Sequence, residues 1–572
     1  MKTINMHARF KTLMVAACIM AMAALSFSDV RQVQTSSFIV QGSSLADAKA
    51  LVVGQGGEIT HELGVIRAVA ADLTPAQVAQ LRDADGIRRV YDNGTIETAG
   101  KPVKDDGGDS GTTESPTDTF YTSLVNGDAV HQMGIDGTGI GIAVLDTGLW
   151  KTQGIKYDAA GNVRIEAVYD AISDQVAANP MSGDDPAGHG SHVASIAVSS
   201  KMTEDGTARY NGVAPGAHIV SVQAFDANGN GTYADVIRAI DWIVANRKQH
   251  KIRILNASFS AEPRSYYWDD PINQAIMVAW RSEIFVVAAA GNRGPEPMTI
   301  GVPGNVPYVM TVGAMTDNFT PKDGSDDELA SFSSTGPTVE GFVKPEVVAP
   351  GGHMRGLVQG NSALASAYPQ YYDGEYFEMS GTSQATAVVS GIAALALQAE
   401  PWRTVDELKC KIMSAAKPAT ITTGKGKEKT TTLAYSVFQQ GAGMVDAYEA
   451  VMNQTTGCAN QGLHVVNDID GFQHFGGPAD QLTDGSYHVR GDLDSAESGY
   501  VWDGNYADSN GYLWTIGYLW TNGYLWTNAY LWTNGVGFDG YLRTNGYLWT
   551  SGYLWTNALT EMTSMSSWVE PE

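Results

Sequence analysis

The chain has 572 residues, of which 43% are hydrophobic, and carries a formal net charge of −26. Such a length allows about two to four domains, and the apolar content is ample for a buried core. The acidic balance argues against nucleic acid and anionic membrane surfaces as partners and suits a soluble, exported protein.

Residues 1–28 place Lys2, Arg9 and Lys11 ahead of an apolar run from Leu13 to Phe27, the layout of a secretory signal peptide. Val15-Ala-Ala-Cys18 resembles a lipoprotein cleavage box, but the apolar stretch before it is short, and no lipid anchor is expected. No later segment has the roughly 18 apolar residues that crossing a bilayer requires, so no transmembrane anchor is expected either. The expected destination is extracellular, with the periplasm or the cell surface as alternatives.

Residues 36–98 read as a small βαββαβ domain. Ser37–Val40 is a strand, Leu45–Val53 a helix, and Glu58–Leu63 with Val65–Ala71 a hairpin. Thr74 then caps a helix with Pro75 in its first turn, and Ile87–Tyr91 closes as a strand. Residues 99–117 have the Gly, Asp, Ser and Thr content of a linker.

The chemistry-bearing stretches follow. Gly139–Asp146 is an apolar strand ending in Asp146-Thr-Gly148. An acid at the C-terminal end of a parallel strand stands where open α/β sheets place their sites. Gly188-His189-Gly-Ser-His192 opens a helix of small residues. Val286-Val-Ala-Ala-Ala290-Gly291-Asn292 is another buried strand with a polar end. Met379-Ser-Gly-Thr-Ser383-Gln-Ala runs into a second small-residue helix, whose outward N–H groups would lie beside Ser383. A serine hydroxyl needs an adjacent imidazole to take its proton, and the imidazole needs a carboxylate to fix its tautomer. Asp146, His189 and Ser383 supply these in the order Asp, His, Ser, which is the subtilisin order. The α/β-hydrolase order fails, because only His464, His474 and His488 follow Ser383, and Ala385 replaces the second glycine of that elbow.

Four blocks in this order, Val144–Gly148, Gly188–Ala194, Val286–Asn292 and Ser380–Ala385, resemble the subtilisin-like serine peptidases, the subtilase or S8 family. The resemblance covers roughly residues 120–455 plus the domain before it. It implies an α/β fold, a doubly wound mainly parallel sheet with helices on both faces, within a peptidase domain of 118–458. It implies that residues 36–98 are an inhibitory propeptide, removed by cleavage within 99–117, so that the enzyme is made as a zymogen. Asn292 would donate to the oxyanion, and protein or peptide substrates would pair with the strand ending in Ser258, Phe259 and Ser260. Ala290, Gly291 and Gly301 would complete the specificity pocket, with Gly301 at a floor open to a large apolar or aromatic side chain. Arg293 would sit at its rim. Ser260 stands where the family usually has glycine, which bears on the pocket's width. Ala387 replaces a common proline, and Gly351–Phe377 reads as a Tyr-rich surface insertion bordering the cleft. No cofactor is required for such chemistry. Structural calcium is common in the family, but no residue is assigned to it, although Asp184, Asp185 and Asp226 offer carboxylates. His189 and His192 lie one helical turn apart without a third metal ligand, so His192 is read as a packed structural residue and no metal site is expected.

Signal removal leaves two cysteines, Cys410 and Cys458, which in an exported protein read as one disulfide. Residues 459–510 are acidic and read as a linker region. Residues 511–557 carry hexapeptide repeats of the form Gly-Tyr-Leu-Trp-Thr-Asn, starting at Gly511, Gly517, Gly523, Ala529, Gly540, Gly546 and Gly552, with a tail at 558–572. Because six is even, Tyr, Trp and Asn would share one face of an extended chain. Asn522-Gly523 and Asn545-Gly546 are hairpin signals, giving a meander of short strands, with a solenoid as the alternative. The aromatic ladder suits a polysaccharide or cell-surface ligand, or serves only structure or secretion. A non-catalytic adhesin is the competing class, which the intact Asp, His, Ser and Asn set argues against.

Overall fold

The computed structural model describes residues 34–98 and 119–502, apart from 205–206, 323, 325, 425–429 and 493–494, together with three short strand pieces beyond residue 540. The expected signal peptide, the linker with its cleavage point, and most of the repeats and tail lie outside the described residues.

One compact unit is formed by residues up to 62 and 67–92. Its strands are β1 (Ser36–Gly42), β2 (Glu58–Leu63), β3 (Ala68–Leu73) and β4 (Ile87–Asp92), in the order β2-β3-β1-β4. Helix α1 (Leu45–Gly54) is capped by Ser44, and α2 (Pro75–Arg82) by Thr74 in a reciprocal capping box with Gln77. Val40, Val52, Val69, Leu73 and Leu81 form its core. This is the βαββαβ order expected of 36–98, with one difference. The unit ends at Asp92, and strand β5 (Thr95–Thr98) belongs to the second unit.

The second unit is built on a sheet that among the described residues has nine strands: β6 (Gly141–Asp146), β7 (Ile165–Asp170), β8 (Gln175–Val176), β9 (His218–Gln223), β11 (Ile252–Ala257), β12 (Phe285–Ala289), β13 (Met310–Thr316), β14 (Glu328–Leu329) and β15 (Val347–Pro350). The order is β14-β13-β12-β11-β6-β9-β7-β8, with β15 also on β13. Every pairing is parallel except those of the two short edge strands β8 and β14. Parallel strands need long crossovers, and these are helices that cover both faces, so β6, β12 and β13 are buried along their whole length. The crossovers are α3 (His189–Val198), α4 (Tyr233–Asn246) and α5 (Pro271–Arg281), joined by α6 (Thr382–Ala399). Helix α3 packs on α6, and α4 on α5. Chain order reverses beside β6, which has β9 on one side and β11 on the other. That places Asp146, at its C-terminal end, at the switch point where such sheets bind ligands.

Away from the sheet, β10 (Asn230–Thr232) pairs antiparallel with β5, matching Gly231 with Ile96. On its other side β5 pairs in parallel with a short piece at Thr563–Met565. The segment expected as a surface insertion forms a hairpin of β16 (Met354–Leu357) and β17 (Tyr376–Met379), with a short helix at Ala363–Ala367 between them. Cys410, in α7 (Val405–Ala415), and Cys458 form a disulfide with Cα atoms 5.2 Å apart.

Residues 459–489 correct the expected linker. They fold onto the body through a short helix at Val465–Ile469, whose buried Asp468 accepts from the hydroxyls of Tyr267 at 2.5 Å and Tyr308 at 3.0 Å. Val489 and Tyr487 share a cluster with Val343 and Phe438. Acidic composition hid this, because the acid that matters accepts hydrogen bonds from tyrosines far away in sequence. In the repeat region Arg543–Thr544 and Tyr547–Leu548 pair antiparallel.

Candidate active site

Three buried elements converge. The end of β6 carries Asp146, the start of α3 carries His189, and the start of α6 carries Ser383; the three residues are 1%, 7% and 1% exposed. Asp146 Oδ1 accepts from the backbone N–H of Thr147 at 2.8 Å and lies 2.7 Å from His189 Nδ1. The approach depends on Gly190, where an added Cβ would lie 2.4 Å from the Gly148 carbonyl and 3.2 Å from Asp146 Cβ. Any side chain there would drive strand and helix apart. Burial alone lowers the His189 pKa, but the Asp146 carboxylate, by charge and hydrogen bond, and Asp185 by charge outweigh it, so the net shift is upward.

Asp185, a calcium candidate by sequence, is instead committed to the local frame. It is fully buried and accepts from Thr147 Oγ1 at 2.8 Å, Gly188 N–H at 2.9 Å, Ser191 N–H at 2.7 Å and Ser191 Oγ at 2.6 Å. Burial raises its pKa and those donors oppose the rise. It thereby ties the residues after Asp146 to the first turn of the histidine helix. Its position four residues before His189 was the available signal. Asp226 Oδ1 is likewise engaged, accepting from the N–H groups of Asn228 and Asn230 at 2.8 Å each. Among the described residues, no group of three His, Cys, Asp or Glu side chains converges as a metal site.

His192 is fully buried, with Nε2 at 2.9 Å from the Phe377 carbonyl and 3.1 Å from the Met354 carbonyl. Burial and the neighbouring His189 push its pKa down to about 3. It is a neutral strut that pins the β16–β17 hairpin over the histidine helix. The helix within that hairpin also bonds to the histidine loop, Ala363 N–H to the Pro186 carbonyl and Leu364 N–H to the Ala187 carbonyl. The insertion thus borders the site.

Ser383 is the second residue of α6, where backbone N–H groups point out of the helix. Asn292 is held against this turn. Its Oδ1 accepts from both Thr382 N–H and Thr382 Oγ1 at 2.9 Å. A backbone N–H can only donate, so the amide oxygen must face Thr382, which turns Nδ2 toward Gly381; it lies 3.3 Å from where a Cβ of Gly381 would be. Thr382 Oγ1 also accepts from Gly291 N–H at 3.2 Å. Thr382 was not singled out by sequence, although it lies inside the Gly-Thr-Ser block. The Asn292 side chain thus lies against the N-terminal turn of α6 that carries Ser383.

The pocket residues also come together. Gly301 N–H donates to the Ala290 carbonyl at 3.0 Å, and Ala261 exchanges bonds of 2.9 and 2.7 Å with Val302. Phe259 is fully buried against Phe225, with ring centroids 5.7 Å apart. A Cβ placed on Gly301, the expected pocket floor, would lie 1.8 Å from Ser260 Oγ and 2.7 Å from the Ala261 carbonyl oxygen. Arg293 at the rim reaches Glu262 at 3.6 Å.

The profile of the subtilase family (peptidase S8) matches residues 137–443, over half of the chain. Serine protease AprX of Bacillus subtilis is 32% identical over 398 residues, covering 68% of this chain and 80% of that protein. The thermostable alkaline protease of Halalkalibacterium halodurans is 28% identical over 359 residues, covering 63% and 80%. Among solved structures, fervidolysin from Fervidobacterium pennivorans, described as a keratinolytic enzyme related to subtilisin, aligns with a TM-score of 0.54 at 22% identity. That alignment covers 74% of this chain and 61% of the neighbour, and it speaks to fold.

Proposed function

The chain belongs to the subtilase family and is a subtilisin-like serine protease; from that premise we propose that Asp146, His189, Ser383 and Asn292 carry its peptide-bond hydrolysis. The observation that carries this assignment is the buried 2.7 Å contact between His189 Nδ1 and Asp146 Oδ1. With Nδ1–H held by the carboxylate, Nε2 is left as the basic nitrogen. It takes the proton of Ser383 Oγ as that oxygen attacks the scissile carbonyl carbon. The carbonyl π electrons move to oxygen, and the oxyanion accepts from Asn292 Nδ2 and the Ser383 N–H. His189 returns the proton to the leaving amine as the C–N bond breaks. Water then repeats the sequence on the acyl-enzyme and frees Ser383. This route draws on side chains and backbone amides alone.

The zymogen reading extends the proposal. Strand β5 lies along β10, and β10 adjoins the pocket wall, since Gly231 abuts Phe225, which packs on Phe259. A strand added at that edge is in the position of a bound peptide, the strand-addition mode of peptide recognition. Residues 36–92 are then the folded part of an inhibitory prosegment, released by cleavage after β5 during export.

Hydrolysis of casein by the purified protein, compared with Ser383→Ala, tests the assignment. Loss of activity on the order of 10⁶-fold is expected. Undiminished hydrolysis by the variant would remove Ser383 as the nucleophile.

A further inference from the structure

The extended run Ser258-Phe259-Ser260 alternates faces. Ser258 Oγ bonds to the Ser383 carbonyl at 3.0 Å, and Phe259 turns into the core against Phe225. Ser260 therefore shares the Ser258 face and meets the two glycines that bound the pocket. Its Oγ lies 1.8 Å from the Cβ position of Gly301 and 2.8 Å from that of Gly291. With the hydroxyl rotated away, its β-carbon would still be in tight contact with the Gly301 point at 3.2 Å and in ordinary contact with the Gly291 point at 3.5 Å, and the Ala261 carbonyl oxygen lies 2.7 Å from the former. The backbone cannot retreat either. Ala261 and Val302 hold each other by two hydrogen bonds, and Gly301 is tied to Ala290. Ser260 is 5% exposed and Ala290 fully buried.

We propose that Ser260 is the specificity-determining residue of this enzyme, closing the P1 pocket so that it cleaves after small residues such as alanine, glycine or serine rather than after large apolar or aromatic ones. The proposal rests on the catalytic reading above, because it places the P1 side chain between Ser260, Gly291 and Gly301. A phenyl ring entering there would meet the serine side chain before reaching the glycine floor, whereas a methyl group stops short of it.

Tetrapeptide p-nitroanilides that differ only at P1 (Ala, Leu, Phe) test this on the purified protein. The wild type should hydrolyse the Ala substrate with a kcat/KM roughly 10–200-fold above that of the Phe substrate, the range that a pocket's size discrimination supplies. Ser260→Gly should raise the Phe-to-Ala ratio at least about tenfold, with Ser260→Ala between the two. A wild type that prefers Phe or Leu would overturn the proposal without any variant, and so would a ratio unmoved in Ser260→Gly. Ser383→Ala on the same panel separates the failures. Hydrolysis that survives in it defeats the catalytic reading beneath, whereas Ser383-dependent hydrolysis favouring Phe defeats the pocket assignment alone.

Discussion

Ser258 and Ser383 are joined reciprocally: each hydroxyl donates to the other residue's carbonyl oxygen at 3.0 Å. The segment proposed as a pocket wall and the turn that carries the candidate nucleophile are therefore tied to each other directly. Asn256 Nδ2 donates to Ser258 Oγ at 2.8 Å, and Ser390 Oγ donates to Asn256 Oδ1 at 2.9 Å, which ties both to the middle of α6. In Ser258→Ala these fully buried groups lose a shared partner. The expected cost is about 1–3 kcal/mol of unfolding free energy, read by urea denaturation. An unchanged midpoint would show that the pair is not a structural tie.

Activity should fall on the acid side at a higher pH than ordinary histidine would give. Burial lowers the His189 pKa, yet the net shift is upward because of Asp146 and then Asp185, and the base works only when neutral. The acid limb of kcat/KM should thus lie above about pH 6.5. The sign for stability is opposite. The interaction stabilises the fold fully below the unfolded histidine value and is lost as pH rises through the raised one. Asp146→Asn should cut kcat by about 10⁴ and move the acid limb to lower pH. A limb that stays in place would mean the carboxylate does not set the base.

Asn292→Ala should lower kcat by about 10²–10³ while KM changes much less, because the amide meets charge only as it develops on the substrate oxygen. Steady-state kinetics on one peptide substrate suffices. Equal losses in binding and turnover would assign Asn292 to substrate holding instead.

Away from the site, Glu346 sits buried between two buried lysines, with Oε1 at 2.6 Å from Lys344 Nζ and 2.8 Å from Lys409 Nζ. Its other oxygen accepts from Thr311 N–H at 2.8 Å, next to the sheet. Glu346→Gln would leave the cluster without its anion, at an expected cost of about 3–5 kcal/mol in thermal or chemical unfolding. A loss below about 1 kcal/mol would mean that the cluster does not depend on the charge of Glu346.

Much of this was legible in the sequence for a physical reason. Asp146, His189, Asn292 and Ser383 each sit where a buried strand or small-residue helix begins or ends, so local pattern and chain order single them out as candidates. The part Asp185 plays was not legible, because its partners, Thr147 and Ser191, become neighbours only when the strand end meets the helix start. The fold of 459–489 escaped because Asp468 answers to Tyr267 and Tyr308, 201 and 160 residues away. Ser260 was visible in the sequence as a departure from glycine, but not the 1.8 Å between its Oγ and the Cβ position of Gly301, because the two residues meet only in the fold.

The central claim is that Ser383 is a nucleophile activated by His189 and Asp146. Labelling the purified protein with a fluorophosphonate, followed by peptide mapping, tests it most directly. Label is expected on Ser383, absent from Ser383→Ala and strongly slowed in His189→Ala. A folded protein freed of its first 117 residues that takes no label, or takes it on another serine, would contradict it.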